Sequence, residues 1–164
     1  MVIKIGGSVL VDDDSYRIEA ERLYEVVKRY NPPKIFVVVS ARRGETDRLI
    51  KEVAKPEDEE QLRRALEGES VSPHILREYN TPSIPARLLQ GELESAYSLG
   101  KYLNNARIMV YDRFFPIISA SNESYLYGFV DFQESYARRS HLYIPEQIVI
   151  IPGMVGGRVG PSAN

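Results

Sequence analysis

The N-terminal residues up to Val39 read as a strand, a helix and a second strand, and this order constrains the fold most strongly. A short apolar run, Val2–Ile5, ends at Gly6-Gly7, which is typical of a strand that closes in a tight turn. Residues at alternating spacings of four and three then form an amphipathic stripe: Tyr16, Ala20, Leu23, Val27 and Tyr30. The continuous apolar run Ile35–Val39 is expected of a strand buried on both faces. This βαβ unit predicts an α/β fold with a mainly parallel sheet.

The rest of the chain predicts further helices and strands within a single domain spanning residues 1–164. Residues 55–82 predict a charged helical insert with a thin apolar stripe of Leu62 and Leu66. A longer helix follows, and its predicted stripe is Leu89, Leu93, Ala96, Gly100 and Leu103. Additional strands are predicted at 107–110, 116–119 and 148–151, with a helix at about 133–142. Alternating strands and helices of this kind extend a parallel sheet.

Composition and charge exclude several classes of protein. The 164 residues contain no cysteine, which rules out disulfides, Cys-ligated zinc and thiol catalysis. A net charge of −2 gives no reason to expect nonspecific binding to nucleic acid or to an anionic membrane. No apolar run approaches the roughly 20 residues of a membrane span, and the N-terminus lacks a signal-peptide cleavage site. The expectation is a cytoplasmic protein without nucleic-acid or membrane partners.

The turn after the first strand, residues 4–8, is a candidate phosphate site. Glycines let the backbone approach an anion closely, and successive N–H groups beside a helix start form a phosphate cradle. Lys4 adds a mobile positive charge that can be directed at the same oxygens. The alternative is an ordinary glycine turn with Lys4 solvated at a sheet edge. The segment contains neither a Walker A sequence nor a dinucleotide-binding fingerprint, so both interpretations stay open.

Three further segments place polar or glycine residues where a ligand can bind. Ser40 follows the second strand at the sheet edge where ligands bind in open α/β folds, and Thr46 can cap the next helix while offering a hydroxyl group. Glu92 lies beside the apolar stripe of the longer helix, and a carboxylate there suits a substrate ammonium group. The run 148–157 is a strand that opens into a glycine-rich loop. The alternatives are a capped loop, a surface carboxylate and a plain strand-to-loop transition.

Taken together and in this order, these segments resemble the amino acid kinase family, and specifically the catalytic domain of aspartate kinases. The opening Lys-x-Gly-Gly-Ser/Thr pattern is matched by Lys4, Gly6, Gly7 and Ser8. The segment Val-Val-Ser-Ala-x-x-Gly-x-Thr-Asn/Asp-x-Leu is matched by Val38, Val39, Ser40, Ala41, Gly44, Thr46, Asp47 and Leu49. The Gly-Glu-x-x-Ser element is matched by Gly91, Glu92 and Ser95. A strand ending in Gly-Phe-x-Gly has its counterpart, with Met for Phe, in Gly153, Met154 and Gly156.

The resemblance implies a three-layer αβα, carbamate kinase-like fold and ATP-dependent phosphorylation of the aspartate side-chain carboxylate to an acyl phosphate. Mg²⁺ would bridge the nucleotide oxygens. In this scheme Lys4 is the catalytic residue that neutralises the transferring phosphoryl group. The implied phosphate-binding residues are Gly6, Gly7, Ser8, Gly153 and Gly156. The implied substrate-binding residues are Ser40, Thr46, Glu92 and Arg158, with Glu92 on the α-ammonium group.

The sequence departs from the family after the glycine-rich loop. Family members continue with a Gly-Arg-Gly-Gly-Ser-Asp motif and then the half-domain that binds adenine and ribose. Arg158 and Ser162 are either a degraded copy of that motif or part of a terminal tail. We therefore expect a fold that is incomplete at the C-terminus. Three accounts remain: a half whose nucleotide-binding part is a partner chain, a catalytically incomplete amino-acid-binding or assembly subunit, or a minimal kinase. Exposed sheet edges favour a homodimer.

Overall fold

The computed structural model describes residues 1–81, 83–109, 118–119, 126, 132–153 and 157–158. The chain divides into two compact units. The first unit comprises Met1–Glu45, Leu89–Val110 and Ile144–Met154, and the second comprises Thr46–Leu88, Tyr111–Tyr143 and Val155–Asn164. The single domain with an insert at 55–82 stays a prediction. No helix in the described part of the chain has both the length and the apolar character needed to cross a membrane.

The predicted βαβ unit is present at the N-terminus, and helices predominate between residues 45 and 100. The strands are β1 (Val2–Ile5), β2 (Ile35–Val39), β3 (Ala106–Ile108), β4 (Ile118–Ser119), β5 (Ile148–Pro152) and β6 (Gly157–Arg158). The helices are α1 (Asp13–Tyr30), α2 (Glu45–Val53), α3 (Glu59–Leu66), α4 (Pro73–Tyr79), α5 (Ser83–Leu88), α6 (Gln90–Gly100) and α7 (Phe132–Ala137). A 3₁₀ helix, Arg138–Leu142, continues α7, so the helix predicted at 133–142 changes type in its second half.

A four-stranded sheet forms the centre of the first unit. Its strand order is β1-β2-β5-β3, and every pairing in it is parallel. Ile35 of β2 aligns with Ile148 of β5, while Val2 of β1 aligns with Phe36 of β2. β1 therefore forms one edge of this sheet. The predicted α/β class with a parallel sheet is confirmed.

Helix α1 begins and ends at residues whose side chains or backbone suit helix termini. The Ser15 N–H donates to the Asp12 carboxylate (2.8 Å), and the Asp12 N–H donates to Ser15 Oγ (3.2 Å), which completes a capping box. Asn31 ends the helix in the left-handed conformation, with φ of 41°. The helix buries three residues of the predicted stripe, Tyr16, Ala20 and Leu23. These side chains pack against one face of the sheet with a larger apolar set: Ile5, Leu10, Ile35, Val37, Val39, Ala96, Leu99, Leu103, Ile148 and Ile150.

Only part of the stripe predicted for helix α6 is buried, namely Ala96 and, just after the helix, Leu103. Leu89 and Leu93 of the predicted stripe are only half-buried. The buried residues of this helix are Gly91, Glu92, Ser95, Ala96 and Leu99. The helix is therefore rotated so that two polar side chains point inward, which is stable only when buried polar groups find partners.

The second unit has its own apolar core. Buried residues from four helices and from residue 126 form it: Leu49, Ile50, Leu62, Ala65, Ile75, Tyr79, Leu88 and Leu126. The range predicted as a helical insert contains α3 and α4. A separate two-stranded parallel pair joins β4 to β6, with Ser119 aligned to Arg158.

Candidate functional site

The segments that follow β1, β2 and β5 lie beside one another at the carboxyl edge of the sheet in the first unit. The Ser40 N–H donates to the Ile5 carbonyl (3.0 Å), which joins the end of β1 to the segment after β2. The Gly153 N–H donates to the Val39 carbonyl (2.6 Å), which joins the segment after β5 to the end of β2. Ligands bind at this edge in open α/β sheets. Polar residues that follow these strands are therefore placed where a ligand can reach them.

Hydrogen bonds link two loops at this edge. The Arg43 N–H donates to the Leu10 carbonyl (3.0 Å), and Arg42 Nε donates to the Val11 carbonyl (2.6 Å). These bonds connect the loop after β2 to the loop after β1. The backbone of the glycine turn is thereby held in place before any ligand arrives, which is the arrangement that makes electrostatic recognition effective.

The two glycines of the turn have different surroundings. A Cβ atom built on Gly7 would collide with the carbonyl oxygen of Ala41, which is backbone and cannot rotate away. The same atom built on Gly6 would meet only Ser8 Oγ, at 3.7 Å, an ordinary van der Waals distance. Gly7 is thus required by the packing of the two loops. Gly6 is not, so its backbone is the part of the turn that a ligand can approach freely.

Glu92 is the most unusual residue at this edge. It is 2% exposed and lies in the first turn of α6. One carboxylate oxygen accepts hydrogen bonds from the backbone N–H groups of Glu92 itself and Ala41, while Oε2 has no hydrogen-bond partner among the described residues. Burial raises the pKa of this carboxyl from 4.5 to about 7, against the lowering effect of the two hydrogen bonds. An unsatisfied buried acceptor costs roughly 1–3 kcal/mol, so a donor supplied by a ligand would be stabilising here.

Gly153 makes room beside the Glu92 side chain. A Cβ atom at Gly153 would lie 2.9 Å from the Val39 carbonyl oxygen and 3.7 Å from Glu92 Cγ. The absence of a side chain lets the β5 segment approach β2 closely. Ala41, Glu92 and Gly153 therefore form a compact junction between the ends of two strands and α6.

A buried pair of hydroxyl groups holds α6 against α1. Tyr16 Oη lies 2.9 Å from Ser95 Oγ, and both residues are buried. Ser95 is three residues after Glu92 and shares its helix face. Burial is the main cause of a raised pKa for Tyr16, so its hydroxyl stays protonated at neutral pH. This hydrogen bond gives Ser95, the second buried polar residue of α6, its partner. The sequence pattern placed Tyr16 in the apolar stripe of α1 and did not indicate this role.

The predicted catalytic residue, Lys4, lies on the exposed side of β1. Side chains alternate along a strand, and Ile5 faces the buried core, so Lys4 points to the opposite face. Its ammonium group makes no ion pair or hydrogen bond with the described residues. Ser8 is also exposed, and Ser40 is half-buried.

The other predicted site residues lie elsewhere. Thr46 belongs to the second unit and lies within the first turn of α2, so the prediction that it caps that helix is wrong. Arg158 also belongs to the second unit, where β6 pairs it with Ser119. Gly156 lies outside the described residues. In the first unit, Gly6, Gly7, Ser40, Glu92 and Gly153 share the carboxyl edge of one sheet.

Metal-binding side chains do not cluster in the part of the chain that the structure describes. No group of three or more His, Asp or Glu residues there is arranged to hold a metal ion. An Mg²⁺ ion that accompanies a nucleotide is held largely by phosphate oxygens and water, with one or two carboxylates. The candidate site therefore fits an anionic ligand at the glycine turn and a cationic group at Glu92.

Comparison with known proteins finds similarity among solved structures but not among sequences. No protein-family model matches the sequence, and no curated protein sequence matches it. Among solved structures, the chain is similar to E. coli aspartokinase III in its T-state complex with lysine and aspartate, with a TM-score of 0.62 and 19% sequence identity. The likeness covers 96% of this chain but 41% of that one. The chain has an aspartokinase-like αβα fold and spans less than half of the length of the aspartokinase that it resembles.

Proposed function

We propose that this chain is an aspartate kinase-like protein that carries the amino-acid-binding and phosphoryl-binding side of the site. The proposed reaction transfers a phosphoryl group from ATP to the side-chain carboxylate of aspartate and yields an acyl phosphate. The observation that carries the proposal is the buried Glu92 carboxylate, whose Oε2 has no partner, at the ligand-binding edge of an aspartokinase-like sheet.

Glu92 is proposed to bind the α-ammonium group of the amino acid. Its free oxygen accepts a hydrogen bond from the ammonium, and the opposite charges attract strongly because the surroundings exclude water. The similar E. coli protein was crystallised with lysine and aspartate, both of which carry such a group. In this proposal Ser40, which belongs to the same unit as Glu92, contacts a remaining polar group of the substrate, and the substrate-binding roles of Thr46 and Arg158 stay predictions.

The glycine turn is proposed to bind the phosphoryl group. Gly6 and Gly7 offer backbone N–H groups in a loop that hydrogen bonds link to the loop after β2. A Cβ atom at Gly6 would make only an ordinary contact with described residues, so a phosphoryl group can approach its backbone closely. Lys4 has no ion-pair or hydrogen-bond partner among the described residues and has a long flexible stem, so its ammonium can move to the transferring phosphoryl group. Ser8, Gly153 and Gly156 complete the proposed phosphate contacts.

Mg²⁺ and ATP are the cofactors that this proposal requires. When bound, Mg·ATP supplies the phosphoryl group and neutralises part of its charge. Phosphoryl transfer has a loose transition state, so the protein contributes mainly by positioning the two reactants and by stabilising charge. In the first unit, this role falls to Lys4, to the Gly6 and Gly7 amides and to Glu92.

The proposal includes a homodimer in the cytoplasm. β1 is an edge strand of the four-stranded sheet, and an unpaired strand edge is a template for pairing with a second copy. A partner chain that supplies the nucleotide-binding half is the alternative assembly. Sedimentation of the purified chain, alone and with Mg·ATP, measures which assembly forms.

Calorimetry followed by product trapping tests the proposed function. The purified chain is titrated separately with aspartate and with Mg·ATP, and is then incubated with both in the presence of hydroxylamine, which traps an acyl phosphate as a hydroxamate. We expect binding of both ligands and hydroxamate formation. Aspartate binding without hydroxamate would leave only the amino-acid-binding alternative. No heat with aspartate would contradict the proposal, and succinate, which lacks the ammonium group, is the matched control ligand.

A further inference from the structure

Among the residues that the structure describes, none on an element packed against α6 forms an ion pair with the Glu92 carboxyl group. These elements are α1, β2, β3 and β5. β2 and β5 carry no titratable side chain, and β3 carries only Arg107, which is exposed. On α1, the buried Tyr16 hydroxyl is bonded to Ser95 and neutral. Within the described part of the chain, burial raises the pKa of Glu92 and two backbone N–H groups lower it.

An ionised carboxylate in such a place is strongly unfavourable. Burying an unpaired charge costs several kcal/mol even after relaxation, and a group in this position normally takes up a proton instead. A single backbone N–H from Ala41, together with the residue's own N–H, stabilises only one oxygen. The other oxygen, Oε2, is left for a hydrogen atom or for a ligand.

We propose that Glu92 is protonated when the site is empty and that an ammonium ligand displaces this proton, so that one proton is released for each ligand bound. In this exchange the O–H bond of the carboxyl breaks, the proton passes to solvent, and an N–H group of the ammonium donates to the resulting carboxylate. The inference rests on the proposed function because the amino acid supplies the ammonium. It adds that the site selects for positive charge and that its affinity depends on pH.

The direction of the pH dependence follows from the exchange. Below a pH of about 7 the ligand must displace a proton from Glu92. Its affinity therefore falls about tenfold for each unit by which the pH decreases. Just above this value Glu92 is already ionised, and the affinity no longer changes with pH. A ligand without an ammonium group, such as succinate, does not release a proton.

The first experiment needs no ligand. Unfolding of the full chain is measured between pH 5 and pH 8 for the wild type, Glu92→Gln and the matched control Glu94→Gln, which changes an exposed carboxylate of the same helix. The folded pKa lies above the unfolded value of 4.5, so Glu92 contributes stability that is lost as the pH rises to about 7. We expect the folding equilibrium constant to decrease about 70-fold over this range for the wild type and Glu94→Gln, and not to change from this source in Glu92→Gln. Equal slopes in all three proteins would overturn the proposal.

The second experiment measures the proton directly in the wild type. Aspartate is titrated at pH 6 in two buffers with different ionisation enthalpies, and the difference in heat gives the protons released. We expect close to one proton per aspartate. Aspartate binding with buffer-independent heat would overturn the exchange. This measurement keeps the test valid if Glu92→Gln does not fold.

A third probe separates this inference from the proposed function. Methylammonium chloride carries the cationic group without the rest of the amino acid, and sodium chloride at the same concentration is its control. If aspartate gives no heat but methylammonium raises the melting temperature of the wild type above that of Glu92→Gln at pH 8, the kinase-like function fails and the cation site stands. If neither probe displaces a proton, the exchange is wrong even when Glu92 titrates as expected.

Discussion

Gly6 and Gly7 show how two adjacent residues of one type are required for different reasons. The carbonyl of Ala41 occupies the space that a side chain on Gly7 would need, whereas Gly6 faces only Ser8 at an ordinary distance. Gly7 is required for the packing of the two loops. Gly6, in the proposed function, is required so that a phosphoryl group can approach the backbone. Substitutions at the two positions therefore separate stability from binding.

We predict that Gly7→Ala destabilises the chain and that Gly6→Ala does not. Overpacking of this kind costs about 1–3 kcal/mol, because either the loop after β1 or the loop after β2 must move. Gly6→Ala is expected to keep the melting temperature while hydroxamate formation falls roughly 10²-fold, since a misplacement of about 1 Å has an effect of this size. Thermal unfolding and the hydroxylamine assay measure both effects. Equal melting temperatures for the two variants would show that the loops accommodate a methyl group at Gly7.

Lys4 gives a second prediction at the same scale. Because its side chain is exposed and unpaired, Lys4→Ala is expected to leave the folded state unchanged. Loss of a donor that stabilises developing charge lowers turnover by roughly 10²–10³-fold. Lys28→Ala, which removes an exposed lysine from the last turn of α1, is the control and is expected to retain full turnover. Turnover in Lys4→Ala equal to that of the control would remove Lys4 from the proposed catalytic role.

Sequence patterns identified most of the candidate residues but not the relations among them. The strand-turn pattern predicted that Gly6, Gly7 and Ser40 follow the ends of strands, and the structure places them there. The same pattern cannot distinguish Gly6 from Gly7, because the difference depends on where a carbonyl from another loop points. The unpartnered oxygen of Glu92 was likewise unpredictable, since it depends on the direction of the Ala41 peptide.

Helix α6 is the element at which sequence periodicity was only partly right, since Ala96 of its predicted stripe is buried but Leu89 and Leu93 are only half-buried. Its apolar residues predicted a stripe through Leu89 and Leu93, yet the helix turns Glu92 and Ser95 inward. A hydrophobic pattern assigns polar residues to solvent, because it contains no information about partners on other elements. Tyr16 on α1 and the Ala41 N–H are those partners.

We predict that the Tyr16–Ser95 pair contributes about 1 kcal/mol of coupling free energy and positions Glu92. A double-mutant cycle with Tyr16→Phe and Ser95→Ala measures the coupling by chemical denaturation. Aspartate affinity is expected to fall in both single variants, because α6 loses its fixed position against α1. Tyr24→Phe removes a comparable bond, from the Asn104 N–H to the Tyr24 hydroxyl (2.7 Å), and serves as the control. Coupling near zero would mean that packing alone orients α6.

At the scale of the whole molecule, each of the two units has a buried polar group of its own. In the second unit this group is Asp58, which accepts a hydrogen bond from the Tyr79 hydroxyl (2.8 Å) and lies 3.3 Å from His74 Nε2. The hydrogen bond from Tyr79 is the main cause of a lowered pKa for Asp58, with a further contribution from His74. A lowered folded pKa means that Asp58 stabilises the fold above its unfolded value and that this contribution is lost as the pH falls.

We therefore predict that Tyr79→Phe lowers the melting temperature at pH 7 more than at pH 3. The variant removes the bond that favours the ionised form of Asp58, and in the wild type this advantage diminishes as the pH falls below the ordinary value of 3.8. Tyr97→Phe, at an exposed position, is the control. Scanning calorimetry at the two pH values provides the comparison. A decrease of the same size at both values would show that Tyr79 acts through packing and not through Asp58.

The class of the fold was predictable from sequence, whereas the order of the strands was not. Runs of β-branched residues separated by helices indicate parallel strands, and the sheet has this form. Periodicity within each element contains no information about its neighbours, so the position of β5 between β2 and β3 could not be derived. The division into two units could not be derived from the sequence either, because each unit is made of residues from distant parts of the chain.

The interior position of β5 has a consequence for synthesis of the chain on the ribosome. β5 is made after the other three strands of its sheet, yet β2 and β3 have no pairing with each other and meet only through it. A nascent chain that has emerged as far as β3 therefore exposes one open edge of Ile35–Val39, the most continuously apolar strand of the N-terminal region. Long-range parallel pairing of this kind is slow and prone to aggregation. Newly made chains are thus expected to depend on chaperones until Ile148–Pro152 has been added.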